Sequence, residues 1–246
     1  PPPPPSPCPP PPPPSPSPPP PPPSECSLRI SLDLAEGCAS GQPFVNNLGG
    51  VGPDTGAAQE IRYKNVGSFN NEPFDLVVTA LSSVTRYPGE FDSGYSGCIS
   101  TLGKITLRSG SQTQLRFAFE DSSGAPVTLP NFVFSVFDLD PGSTERVVIN
   151  GFTSATFSQD TNVVQQNTNT FEACRKAINC GYPPNICPGS NCNIGHASNS
   201  ISPEALTEEQ KAAATTLTFG NPTSSFTLTW GVLGQLRSYS AKLFFA

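Results

Sequence analysis

The chain has 246 residues, 31 of them proline, with 13% charged residues and a formal net charge of −6. Its acids and bases are scattered, with no basic patch or Lys/Arg run, so nucleic acid is not an expected partner. No apolar run approaches the ~20 residues of a membrane helix, so no membrane span is expected. Methionine is absent, which reads as a processed chain from which any secretory leader has gone.

Residues 1–24 come first. Nineteen of the first 23 residues are proline, interrupted by Ser6, Cys8, Ser15 and Ser17. Proline fixes φ and donates no hydrogen bond, so such a run adopts polyproline II and buries no core. At about 3.1 Å per residue it forms a semi-rigid rod of roughly 70 Å. Cys8 stands roughly 50 Å from Cys26 along that rod, whereas a disulfide spans Cα atoms about 4.4–6.8 Å apart. Cys8 therefore does not easily reach its own head. The seven cysteines beyond it are an odd number, so full oxidation requires a bond between chains. We expect Cys8 to pair with Cys26 of a neighbouring subunit. A Cys8–Cys8 dimer and a free Cys8 thiol are the competing arrangements.

From residue 25 the pattern is that of strands. SLRISLDL sets Leu28, Ile30, Leu32 and Leu34 on one face, and FDLVVTAL does the same with Phe74, Leu76, Val78 and Ala80. VNNLGGVGPDTG lies between them as a glycine-rich loop. It does not follow a strand and open a helix, so it is no dinucleotide fingerprint. TQLRFAFE and FTLTW alternate with period 2, the signature of a sheet with one buried face. NFVFSVFDLD is apolar on both faces and reads as a central strand. RVVINGF, AATTLTFG and AKLFFA complete nine to eleven strands. Trp230 shares its face with Phe226 and Leu228, which points to the core. PEALTEEQKAAA (203–214) predicts a short helix capped by Ser202 with Pro203 at its first position, and FEACRKA another helical turn. The expected architecture is all-β: an antiparallel β-sandwich or jelly-roll head over 25–246, behind a polyproline II stalk over 1–24.

Cys38, Cys98, Cys174, Cys180, Cys187 and Cys192 have spacings too wide for zinc pairs and read as structural disulfides in an oxidising compartment. Four of them staple CRKAINCGYPPNICPGSNC (174–192), a surface insertion too polar to hold a core. The single histidine, His196, lies beside it, and no G-x-S-x-G elbow accompanies it, so no catalytic residue and no enzyme activity are expected. In FDLDPGSTE, Asp138 and Asp140 project from one face of a strand end, and Glu145 returns after the Pro-Gly turn. These oxygens could hold calcium or simply cap the turn. No other cofactor is expected. No asparagine-glycosylation sequon with an allowed central residue occurs.

The serine-punctuated run PPPPPSPCPPPPPPSPSPPPPPP resembles the stalks of hydroxyproline-rich glycoproteins of green algae and plants, the extensins and pherophorins of walls and flagellar surfaces. The resemblance implies hydroxylated, O-glycosylated prolines at Pro2, Pro3, Pro4, Pro5, Pro10, Pro11, Pro12, Pro13, Pro19, Pro20, Pro21 and Pro22. Arabinose or galactose chains would be attached there, and galactose at Ser6, Ser15 and Ser17. It implies a secreted structural subunit that assembles into a fibre, wall or surface filament, with copies of itself and wall polysaccharide or glycoprotein as partners. The alternative is a stalked carbohydrate-binding or adhesion module, with or without calcium. A wall-acting enzyme ranks last.

Overall fold

The structure, a computed structural model, describes residues 30–86, 95–139, 145–159, 161, 163–173, 206–232 and 240–246. The stalk over 1–24 lies outside these residues. Among the described residues fourteen strands, numbered in chain order, form two sheets. The larger runs β1 (Val45–Asn46), β2 (Glu60–Phe69), β3 (Glu72–Ala80), β6 (Gln112–Glu120), β13 (Ser225–Val232), β8 (Glu145–Ile149), β11 (Thr170–Ala173), β10 (Val163–Gln165). The smaller runs β4 (Gly97–Ile99), β5 (Leu102–Arg108), β14 (Ser240–Phe245), β7 (Phe132–Phe137), β12 (Thr215–Phe219), β9 (Ser154–Thr156). Every paired strand is antiparallel.

The alternating side chains explain why the sheets face each other. Phe117 and Phe119 of β6 and Phe226 of β13 point inward from one sheet. Phe132 and Phe134 of β7, Phe219 of β12 and Phe245 of β14 point inward from the other, all in one core. Edge-to-face pairs cross the gap: Phe117 with Phe134 at 5.3 Å, Phe117 with Phe245 at 5.2 Å and Phe119 with Phe132 at 4.9 Å between ring centroids. Such pairs add about 0.5–1.5 kcal/mol beyond the area they bury. Trp230 is fully buried in the same core.

β7 is central in its sheet, flanked by β14 and β12, although its second face, with Val133 and Ser135, is only half-buried. The β2–β3 hairpin turns on Asn70 (φ 54°) and Asn71 (φ 65°), two left-handed residues as a type I′ turn requires.

Local readings at four places are corrected. SLRISLDL does not continue as a strand: Ile30 makes a single bridge to Phe132, and helix α1 (Leu34–Gly37) begins where the strand was expected to end. Asp33 terminates the extended segment because its carboxylate accepts the Ala35 N–H and caps the helix. The helix of 203–214 is shorter, α2 at Glu208–Ala212, and Thr207 caps it rather than Ser202. Thr207 Oγ1 accepts from Gln210 N while Gln210 Oε1 accepts from Thr207 N, a reciprocal pair unavailable further upstream. Phe171–Ala173 belongs to β11 rather than to a helical turn, because Phe171 pairs with Val147 and buries its ring. Finally, the described strands outnumber the nine to eleven expected. The short edge strands β1, β4, β9 and β10 span two or three residues each, too few for a period-2 signal.

Candidate functional site

At one border of the sandwich the glycine-rich loop after β1 meets the segment that enters β4. Asn46 joins them. Its backbone N–H donates to Asp54 Oδ2 at 2.7 Å, and its side-chain Nδ2 donates to the Ser96 carbonyl at 2.7 Å. The next residue fixes the rest of the loop. Asn47 Nδ2 donates to the Ala57 carbonyl, and Asn47 Oδ1 accepts from Gly52 N. Close approach explains two glycines. A Cβ at Gly52 would lie 2.1 Å from the Asn46 carbonyl oxygen. One at Gly97, where φ is +135°, would lie 2.6 Å from Asn46 Nδ2.

The β4 side is held as firmly. Cys38, at the end of α1, forms a disulfide with Cys98 of β4. Tyr63 Oη donates to the Gly97 carbonyl at 2.6 Å, and Ser96 Oγ accepts from Thr106 N at 3.0 Å. Burial drives the Tyr63 phenol far above its ordinary pKa, so it stays a neutral donor.

Between these walls lies a groove of about 300 Å³, the lower end of the range for ligand sites. Pro43, Pro53 and Cys98 give it apolar surface. Gln42, Asn46, Asp54, Ser96 and Lys104 give it polar atoms. Tyr95 stands at its rim, 40% exposed. The Arg86 guanidinium covers the ring at 4.1 Å from its centroid, a cation–π contact that holds the aromatic plane in place. A smaller recess adjoins the groove and shares Asn46 and Ser96 with it. Chemically the groove offers an aromatic platform beside planar amide and carboxylate groups. Among the described residues one carboxylate, Asp54, lines it.

The expected site residues fare differently. Cys38 and Cys98 are paired with each other. Asp138 and Glu145 sit at the end of β7 and the start of β8, each buried and in a polar interaction. The extended alternation that would set Asp138 and Asp140 on one face stops at Phe137, because Asp138 turns to φ 63°. Asp140 lies outside the described residues, and among the described residues no three His, Cys, Asp or Glu side chains form a metal-sized group. Neither Asp138 nor Glu145 lines the groove. Cys8, Cys26, Cys174, Cys180, Cys187, Cys192, His196 and the prolines and serines of 1–23 also lie outside the described residues. Sequence reading passed over Asn46, Asp54 and Tyr95. The one signal was the density of Asn, Asp and Gly in VNNLGGVGPDTG, residues that build a fixed loop rather than a slack one.

No family model matches the chain, and no curated protein matches it. Among solved structures, the adhesin domain of PrgB from Enterococcus faecalis, solved bound to DNA, is 14% identical with a TM-score of 0.43. The N-terminal domain of a Streptococcus gordonii adhesin is 12% identical with a TM-score of 0.43. Each comparison covers 76% of this chain, and 66% and 47% of the respective structure. This chain thus spans about half to two-thirds of those structures, and likeness at this level assigns it no partner.

Proposed function

We propose that this chain is an extracellular adhesion module, a β-sandwich head that binds a saccharide chain in the Tyr95 groove and carries a proline-rich stalk. The observation that carries this reading is Tyr95, fixed by Arg86 beside the polar floor of Asn46 and Asp54. A sugar ring has an apolar C–H face that stacks on an aromatic plane. Its hydroxyls both donate and accept, as amides and carboxylates do. The groove is small and open to one or two rings of a longer chain. The Cys38–Cys98 disulfide fits an oxidising, extracellular setting. In this reading the aromatic ring and the polar side chains contact the sugar directly, so chelation with EDTA is expected to leave binding unchanged.

The test is retention of the intact chain on immobilised neutral and acidic polysaccharides. Tyr95→Ala weakens retention at least tenfold. Phe44→Ala, which removes an aromatic side chain that is 63% exposed but outside the groove, leaves it unchanged. Equal retention of wild type and Tyr95→Ala contradicts the reading.

Self-assembly is a second reading, favoured by cysteine parity. With Cys38 and Cys98 joined, five cysteines remain in 25–246 (seven less two), still an odd number for Cys8 to complete between chains. A disulfide-linked ladder on a non-reducing gel, lost in Cys8→Ser, supports it, and a monomer opposes it.

A further inference from the structure

Two buried polar atoms beside the groove lack a protein partner: Asn46 Oδ1 and Thr106 Oγ1. Their residues are 2% exposed each, and both line the recess next to the groove. That recess has a volume of about 10 Å³, roughly the room that one water oxygen needs. Ser96 ties its walls together, because the Ser96 carbonyl accepts from Asn46 Nδ2 and Ser96 Oγ accepts from Thr106 N. The first of these bonds also fixes the amide orientation. A flipped Asn46 would set its oxygen against the Ser96 carbonyl, so the free atom is the acceptor Oδ1, on a residue that lines the recess. A buried acceptor and hydroxyl left unpaired cost far more than the same pair joined through one O–H group.

We propose that this recess is a hydroxyl subsite: one O–H group donates to Asn46 Oδ1 and hydrogen-bonds Thr106 Oγ1. In the free protein the group is a water. In the complex it is the same water or a hydroxyl of the bound saccharide that has displaced it. The second form rests on the saccharide reading of the groove, and the first does not. The subsite makes the groove floor selective. A ligand that presents an ether or a methyl there leaves Asn46 unpaired, whereas a hydroxyl satisfies it.

The test combines a crystal structure at a resolution that shows ordered water with the isosteric variant Thr106→Val. An oxygen within hydrogen-bond distance of both atoms in the free chain is expected. Thr106→Val, which takes one partner from it, lowers the melting temperature by about 2–4 °C. A dry recess, with Thr106→Val melting at or above the wild-type temperature, overturns the subsite, since replacing a truly unpaired hydroxyl by a methyl stabilises. Soaking with cellohexaose separates the two sources. Ligand oxygen in the recess identifies the sugar hydroxyl, and retained water identifies the bridging form. If polysaccharide retention fails while the water is present, the saccharide reading falls and the subsite stands.

Discussion

Single residues decide how rigid the groove is. Tyr63 is fully buried and supplies the hydroxyl that holds Gly97 in place. Its folded-state pKa lies above the unfolded value of about 10, so the unfolded chain loses that proton first. The stabilisation from Tyr63 is therefore complete below about pH 10 and lost as the pH rises beyond it. Urea titrations at pH 8 to 11 should show stability falling in the wild type and a shallower fall in Tyr63→Phe. At neutral pH that variant pays about 1–3 kcal/mol for the stranded Gly97 carbonyl. Arg62 is the other residue of consequence. It reaches Glu60 at 2.9 Å, Asp75 at 3.2 Å and Glu120 at 2.7 Å across three neighbouring strands. Burial alone would lower its pKa, but the three carboxylates outweigh that and hold it above the ordinary range. Arg62→Leu leaves three acids facing one another. Its urea midpoint should fall below that of the wild type, and added salt should narrow the deficit by screening the repulsion.

At the scale of elements, the strongest constraint is the disulfide between the end of α1 and β4. It closes a loop with a sequence separation of 60, which on chain-entropy grounds stabilises by about 4 kcal/mol. Chemical denaturation of Cys38→Ala/Cys98→Ala should register a loss of that order, and saccharide retention should fall with it, because among the described strands β4 pairs with β5 alone. Much of this level was legible beforehand. Period-2 alternation located β3, β6 and β13 nearly to their ends, because inward phenylalanines and leucines leave little ambiguity. The short edge strands and α1 were not legible. Leu28 to Leu34 alternates as a strand does, yet Asp33 spends its carboxylate on a helix cap, a local hydrogen bond that periodicity does not register. Likewise 203–214 holds good helix formers throughout, but the capping box at Thr207 sets the start.

At the scale of the whole molecule, a two-sheet sandwich provides a rigid body, and its border carries the chemistry. The fold class could be read from the sequence because burial has a period. The groove could not, because Tyr95 is far along the chain from the loop that carries Asn46 and Asp54, and β4 and the disulfide bring the two together. Asp138 and Glu145, by contrast, drew attention as acids close in sequence, and folding buried them at the end of β7 and the start of β8 rather than at the groove. The most direct measurement is an NMR titration of the isotope-labelled intact chain with cellohexaose. Saccharide binding at the groove predicts saturable shifts confined to Gln42–Asp54 and Tyr95–Lys104, abolished in Tyr95→Ala. Shifts centred on another face, or unchanged in that variant, would contradict it.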